Sequence, residues 1–432
     1  MKKIFLILSF TLLLNQQAIS VTLSEALLQA YKNNPELNAA RENIKVSKEN
    51  LNISKSEFLP SLTLLSERTS ENTEKLTNRS GANVSSTDLS PKTQSIAIEQ
   101  KLFQGFAGVA GFEKNKIGLN LAEAKLLKSE QETIYNAIEA YTRLVSTKEK
   151  LNINKKNVNL YERTVETARA RLERGQITLS DLAQSESSLA GAQAKYIQAK
   201  NDEVTAKLNY EKVIGPIKNV EDLNKNSDVN FQIPENLNKA IRISKKNNPD
   251  LIIAKLEYEQ SEKDIKIAAA DLSPSATLSL KSSKTDDLSS SYDEQDKESI
   301  TATISWPIFK GGKNIALLNR SKNQKNIKKL LFDNAIKSND TNVASAWSNL
   351  QSSKSLLNSV KLQVQAAEIA NEGITEEYES GLGRSTLDVM QSNSILLDSK
   401  ISLADSERNY LLSQFSLLQS VGLLKNDYLK LQ

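Results

Sequence analysis

The sequence predicts a mainly α chain with β-hairpins, in which one helix–hairpin–helix unit occurs twice. Three observations predict it. The 432 residues contain an internal duplication, long stretches repeat their apolar residues every seven positions, and short segments alternate apolar with polar residues. Composition agrees. Gly (14) and Pro (8) are scarce, aromatic residues make up 5% and apolar residues 39%. Such a chain has too few turn residues for many short elements and suits long helices with narrow apolar stripes. A disordered polar chain has a similar composition, but it would not carry so regular a periodicity.

The N-terminus reads as an address. Lys2 and Lys3 precede an apolar stretch over residues 4–14, broken only by Ser9 and Thr11. Ala18 and Ser20 then place small residues where a signal peptidase reads. The stretch is too short to span a bilayer as a helix, so residues 1–20 are expected to be a signal peptide cleaved after Ser20. Losing the two lysines leaves 54 basic against 52 acidic residues, a near-neutral balance that gives no electrostatic case for nucleic acid. There is no Cys and no His. That excludes disulfides, thiol catalysis, thiolate metal sites and an N-terminal lipid on cysteine, and it removes the commonest metal ligand and general base. No catalytic residue, cofactor or metal is expected, and the chain does not read as an enzyme.

The duplication is plain in the residues. Leu23 and Asn33-Asn34-Pro35 match Leu237 and Asn247-Asn248-Pro249 at an offset of 214, which holds to Pro60 and Pro274. Leu102-Phe103-Gln104-Gly105 matches Ile308-Phe309-Lys310-Gly311 at 206, so the second copy has lost eight residues in between. Gly175 matches Gly381 at 206, whereas Asp181 matches Asp388 and Gly215 matches Gly422 at 207, so one residue is gained near the Gly381 turn. Indels in repeats fall in loops, and the polar stretches 66–92 and 282–297 read as exposed hairpin loops. The expected organisation is a first repeat over 21–215, a linker over 216–236, a second repeat over 237–422 and a tail over 423–432. The hairpins fall at about 61–103 and 275–309, and helical turns near 175 and 381.

Each copy begins with a short helix (about 23–33 in the first) and a longer one (about 35–58), and a strand follows the proline. In the first return strand Ile96, Ile98 and Leu102 alternate. In the second, Ile300, Ala302, Ile304 and Trp306 share one face and Thr301, Thr303 and Ser305 the other, the period-2 pattern of a strand with one apolar face. That face packs on a core in a soluble sheet and meets lipid in a membrane barrel; the pattern alone does not choose. A long helical stretch follows. Leu144, Leu151, Val158, Val165 and Leu172 are spaced by seven, as are Val343, Leu350, Leu357 and Val364. After the turns come Leu182, Leu189, Tyr196, Glu203 and Tyr210, and Leu396, Leu403, Tyr410, Leu417 and Leu424. Strict sevens specify coiled-coil packing. Unbroken, residues 105–174 would reach on the order of 100 Å, too long to be covered within one compact domain. Charged residues along this helix, Glu162, Arg163, Glu166, Arg169 and Glu173, are expected to pair along one solvated face.

Two strands per copy give four per chain, and roughly eight are the minimum for a membrane barrel. An open transmembrane sheet would leave unpaired edges in lipid. Strands that span a membrane must therefore be pooled between chains, and three chains would supply twelve.

With these features in place, the chain resembles the TolC-like outer-membrane efflux protein family over essentially all of residues 21–424. Trp306-Pro307-Ile308-Phe309-Lys310-Gly311-Gly312 is similar to the family's Pro-Leu-Phe-x-Gly-Gly segment, and Gln100-Lys101-Leu102-Phe103-Gln104-Gly105 is its weaker first-copy form, with Lys101 in place of proline. The two Asn-Asn-Pro segments match the family's signature after the short helix, and Tyr378 to Gly381 followed by Leu387-Asp388-Val389 resembles its periplasmic tip. The resemblance implies a homotrimer with a twelve-stranded outer-membrane β-barrel, in contact with outer-membrane lipid, continued by a periplasmic α-helical coiled-coil barrel. It implies a passive exit duct for efflux or type I secretion. A periplasmic adaptor (membrane fusion) protein and an inner-membrane RND or ABC transporter would serve as partners.

The resemblance also implies a gate at the periplasmic mouth, in which Tyr378 and Arg384 on one helical turn hold Asp181 on the other through charge-assisted bonds. The extra residue in Gly381-Leu382-Gly383-Arg384 lets Gly383 take the family's arginine position instead. Asp388 corresponds to an acid lining the pore entrance, and Gln391 stands where a second acid would be. Read from the sequence alone, Asp388 is also a first-turn helix acid after Ser385 or Thr386. Gly175 and Gly381 are turn residues and, by the resemblance, tips that contact the adaptor. Phe103, Trp306 and Phe309 read either as an aromatic girdle or as ordinary packing. The rival reading is a structural coiled-coil envelope protein without transport activity, for which two amphipathic hairpins at equivalent positions have no use. A carboxylate hydrolase would need two unequal acids in a cleft, and nothing marks such a pair.

Overall fold

The structure is a computed structural model and describes residues 21–77, 79–84, 87–225, 228–289 and 292–430. The expected signal peptide over 1–20 lies outside the described residues, as does the very end of the tail, 431–432. In the first half, helices α1 (Leu23–Asn33) and α2 (Pro35–Ser56) precede strand β1 (Ser61–Arg68). Short strands β2 (Glu71–Thr73), β3 (Leu76–Thr77), β4 (Asn83–Val84) and β5 (Thr87–Leu89) lead to β6 (Lys92–Gln104), and then come α3 (Ala107–Glu173) and α4 (Leu179–Val213). In the second half, α5 (Leu237–Asn247), α6 (Pro249–Ala270), β7 (Ser275–Ser289), β8 (Tyr292–Ser305), α7 (Lys313–Glu379) and α8 (Thr386–Ser420) follow in the same order, and α9 (Asn426–Leu429) is the last described element. Both α3 and α7 are single helices of 67 residues.

The chain divides into two compact units. The first comprises Ala39–Leu126 and Pro249–Ser338. Its centre is an antiparallel sheet in the order β1-β6-β7-β8. The register aligns Leu62, Ile98, Leu280 and Ile300 in one row across all four strands. These residues share a face with Leu64, Ile96, Leu278 and Ile304, and the opposite face carries Thr63, Ser283, Ser299, Thr301 and Thr303. Among the described residues no core lies beneath the apolar face: Leu62 is 72% exposed, Leu64 75%, Ile300 76% and Ile304 78%. The uncovered row fits the lipid-facing reading of the alternation rather than a core within the chain. Next to the sheet, Lys114–Asp264 (2.6 Å) and Lys263–Glu113 (2.7 Å) join α3 to α6, and Lys328–Glu257 (2.7 Å) joins α6 to α7.

The expected loop over 282–297 is corrected. It is strand almost throughout, because β7 and β8 pair from Ser275↔Ser305 to Asp286↔Glu294 and again at Ser289↔Tyr292. A polar composition does not prevent strand when the ladder is made and opposite charges such as Lys284 and Glu294 meet across it. The longer first-copy stretch likewise holds two short ladders, β2 with β5 and β3 with β4.

The second unit comprises the described residues up to Asn38, Leu127–Asn248 and those from Asn339 on. Its core is built twice. Ala26 of α1, Leu144 of α3 and Tyr210 of α4 are buried together, and their repeat equivalents Ala240, Leu350 and Leu417 are buried in a second cluster. Fully burying a Leu-sized side chain stabilises by roughly 1.5–3 kcal/mol. The Tyr141 hydroxyl, buried in the first cluster, lies 2.8 Å from the carbonyls of Val21 and Asn224 and ties the linker segment to α3.

The heptads are partly corrected. Val343, Leu350, Leu357 and Val364 are buried as expected. In α4, however, the buried seam is Ser185, Ala192, Ala199 and Ala206, while Leu182, Leu189, Tyr196 and Glu203 are only half-buried. Buried Ser392, Ser399 and Ser406 occupy the equivalent line on α8, which packs against α4. Small residues let two helices approach closely, so the seam carries less volume than a leucine seam would. The expected pairing along the α3 surface is also corrected at Arg169, whose guanidinium reaches across to Glu186 of α4 at 2.8 Å.

Gly422 ends α8 with φ +79, and a Cβ there would collide with the Asn247 carbonyl. Asn248 donates to the Ser420 carbonyl at 2.9 Å, holding the two segments in register. Gly422→Ala is expected to cost more than about 1 kcal/mol and to lower the thermal unfolding midpoint. Gly191→Ala, inside α4 with open space around it, should leave the midpoint level or raise it.

Candidate functional site

The candidate site is the pair of helical turns, α3–α4 and α7–α8. The first helix of each pair ends alike. Gly175 N donates to the Leu172 carbonyl (2.8 Å) and Gln176 N to that of Arg171 (2.9 Å); Gly381 N donates to Tyr378 (3.3 Å) and Leu382 N to Glu377 (2.9 Å). Both glycines hold positive φ, +66 and +75, which this helix-ending motif requires. The second helix of each pair begins alike. Thr178 and Asp181 form a capping box on α4, and Ser385 and Asp388 form one on α8. The inserted residue is absorbed by Gly383, which takes φ +84.

Asp181 Oδ2 accepts from Thr178 N (2.9 Å) and Thr178 Oγ1 (2.8 Å). Asp388 Oδ2 accepts from Ser385 N (2.9 Å) and Ser385 Oγ (2.8 Å). These bonds hold both carboxyls below their usual range, chiefly the backbone N–H in each case, with Arg384 adding a smaller effect at Asp388. A depressed pKa contributes stability that is present above the ordinary value and lost as pH falls through the lowered one. Acidification below about pH 4 should therefore fray the first turns of α4 and α8 before the buried core opens. Hydrogen exchange at residues 178–182 and 385–389, corrected for intrinsic rates, checks this.

The structure brings some of the expected residues together and not others. Tyr378 and Asp181 share no hydrogen bond; the Tyr378 hydroxyl instead meets Thr386 Oγ1 at 3.0 Å. Arg384 is not on Asp181 either. Its Nε donates to Glu377 at 2.6 Å, which raises the guanidinium pKa further. Gln391 is exposed and stands one turn beyond Asp388. Three contacts escape sequence reasoning: Thr386 at the Tyr378 hydroxyl, Glu377 at Arg384, and Arg171, whose guanidinium lies 4.3 Å from the Tyr378 ring centroid. The repeat offset pairs Arg171 with Glu377, but spacing does not say which ring or charge each meets. At the hairpin base, Trp306 Nε1 donates to the Leu272 carbonyl at 3.1 Å, Phe103 packs edge-on against Phe106 at 5.3 Å, and Phe309 is exposed. Among the described residues there is no cluster of acids able to hold a metal, and no helix is long and apolar enough to cross a membrane.

A four-stranded sheet with a bare apolar face, a polar opposite face and two unpaired edges, joined to very long paired helices, defines a channel-forming protein of the bacterial outer membrane. The chain belongs to the outer membrane efflux protein family, which it matches over residues 26–216 and 240–423. It is similar to the outer membrane efflux protein BepC of Brucella suis, with 28% identity over 428 residues covering 99% of this chain and 91% of BepC. It is also similar to the outer membrane protein TolC of Escherichia coli, with 24% identity over 431 residues covering 94% and 84%. Its fold matches the CmeC outer membrane channel of Campylobacter jejuni with a TM-score of 0.80 at 16% identity, covering 93% and 85%. The protein is an outer-membrane efflux channel whose helices extend into the periplasm.

Proposed function

We propose that three copies pool their strands into one twelve-stranded barrel and act as the passive exit duct of a tripartite efflux or type I secretion system. The unpaired outer edges of β1 and β8 carry this reading, because strand edges are not tolerated in lipid and four strands cannot close on themselves. A purely structural envelope strut has no use for such edges or for an apolar sheet face.

In this reading Asp181, Tyr378 and Arg384 form a gate at the periplasmic mouth. The second carboxylate oxygen of Asp181, Oδ1, is outside its capping box and is available as an acceptor. Asp388 and Gln391 line the pore entrance. A single acid per chain at this level makes that entrance less negative than two would. Gly175 and Gly381 mark the turns that meet a periplasmic adaptor, and an inner-membrane transporter of the RND or ABC class supplies the energy. Crosslinking of detergent-extracted protein is expected to stop at three chains, and Asp181→Ala with Tyr378→Phe to raise conductance in planar bilayers. Recovery as a monomer without detergent would sink the duct; unchanged conductance would sink the gate.

A further inference from the structure

The two turns are equivalent by repeat, yet one matching position carries opposite charges. Arg171 and Glu377 occupy the same position: each offers its carbonyl to the amide that follows the turn glycine, from Gln176 and Leu382 respectively. Glu377 is used within its own turn, where it takes Arg384 at 2.6 Å. Arg171 makes no ion pair among the described residues. Its guanidinium lies across the Tyr378 ring at 4.3 Å, a contact between the first copy and the second. The Tyr378 side chain is thus held on its face by Arg171 and at its hydroxyl by Thr386. The Arg384–Glu377 pair stiffens one turn and cannot couple the two.

We infer that Arg171 is a positioning residue of the gate, the cation that couples the α3–α4 turn to the α7–α8 turn by holding the Tyr378 ring. The inference rests on the gate reading above. A cation–π contact at a half-exposed site is weak, worth about two- to fivefold in an equilibrium. That suits a link that a docking partner must break. A guanidinium also keeps its charge at any pH the protein meets, so this link, unlike the aspartate caps, does not loosen on acidification.

The test is single-channel conductance of the purified, detergent-extracted protein in planar bilayers. Arg171→Gln is expected to raise the open fraction about two- to fivefold. It should still do so in a Tyr378→Phe background, where the ring remains, and should add nothing in a Tyr378→Leu background, where it does not. A merely structural role would not follow the ring in this way. Wild-type behaviour of Arg171→Gln, or an equal effect in the Leu background, would overturn the inference. If Asp181→Ala opens the channel in that case, the gate reading survives. If Asp181→Ala and Tyr378→Leu are also silent, the gate reading fails with it.

Discussion

Ile300→Arg is expected to abolish recovery of the protein from the outer-membrane fraction, while Thr301→Arg, one residue on, is expected to assemble normally and shift ion selectivity toward anions. The two residues are neighbours on β8 but lie on opposite faces of the sheet. Ile300 closes the row Leu62–Ile98–Leu280–Ile300 and is 76% exposed with no core to meet. In a lipid-facing position a buried-depth arginine costs about 2–4 kcal/mol per copy, and an assembly of identical chains incurs it in every copy. Thr301 faces Ser279 across the ladder on the polar side, where a guanidinium stays hydrated. Membrane fractionation with heat-resistant gel mobility reads the first effect, and reversal potentials in a salt gradient read the second. Equal behaviour at both positions would remove the lipid-facing assignment of this row.

Phe415→Ala is expected to be the most damaging single truncation in the helical unit. Phe415 is fully buried on α8 and packs at 4.7 Å centroid distance against Phe231 of the linker between the repeats. The same segment is tied down by the Tyr428 hydroxyl, which donates to the Gln232 carbonyl at 2.8 Å. Removing a buried phenyl ring loses transfer energy and leaves a cavity, together about 3–5 kcal/mol. The check is the midpoint of helical signal loss on heating, with protease sensitivity of residues 228–236 as a second reading. An unmoved midpoint would mean that this segment does not belong to the core.

Much of the architecture was legible in the residues because it depends on local periodicity and on self-similarity. The duplication, the two long helices and the alternating strands each leave a repeating mark. The turn chemistry was partly legible: glycine at each turn and an acid near each helix start point to a helix-ending motif and a first-turn charge. Other features carried no such mark. The stretch 282–297 reads as a loop by composition, yet pairing with a partner strand overrides composition. The seam of α4 follows Ser185 and the alanines because α8 lies close against them, and a seven-residue count cannot say which of several parallel lines faces a neighbour.

The repeat, the long helices and the alternating strands are set by the residues alone. They follow from backbone periodicity and self-similarity, which need no partner segment to be read. What each face meets came from packing. It left the apolar side of the sheet bare, placed Arg384 on Glu377, and laid Arg171 across Tyr378. The reason is physical. Periodicity sets the direction in which a side chain points relative to its own helix or strand. What stands in that direction is set by the packing of segments more than 200 residues apart in the chain, such as Arg171 and Tyr378.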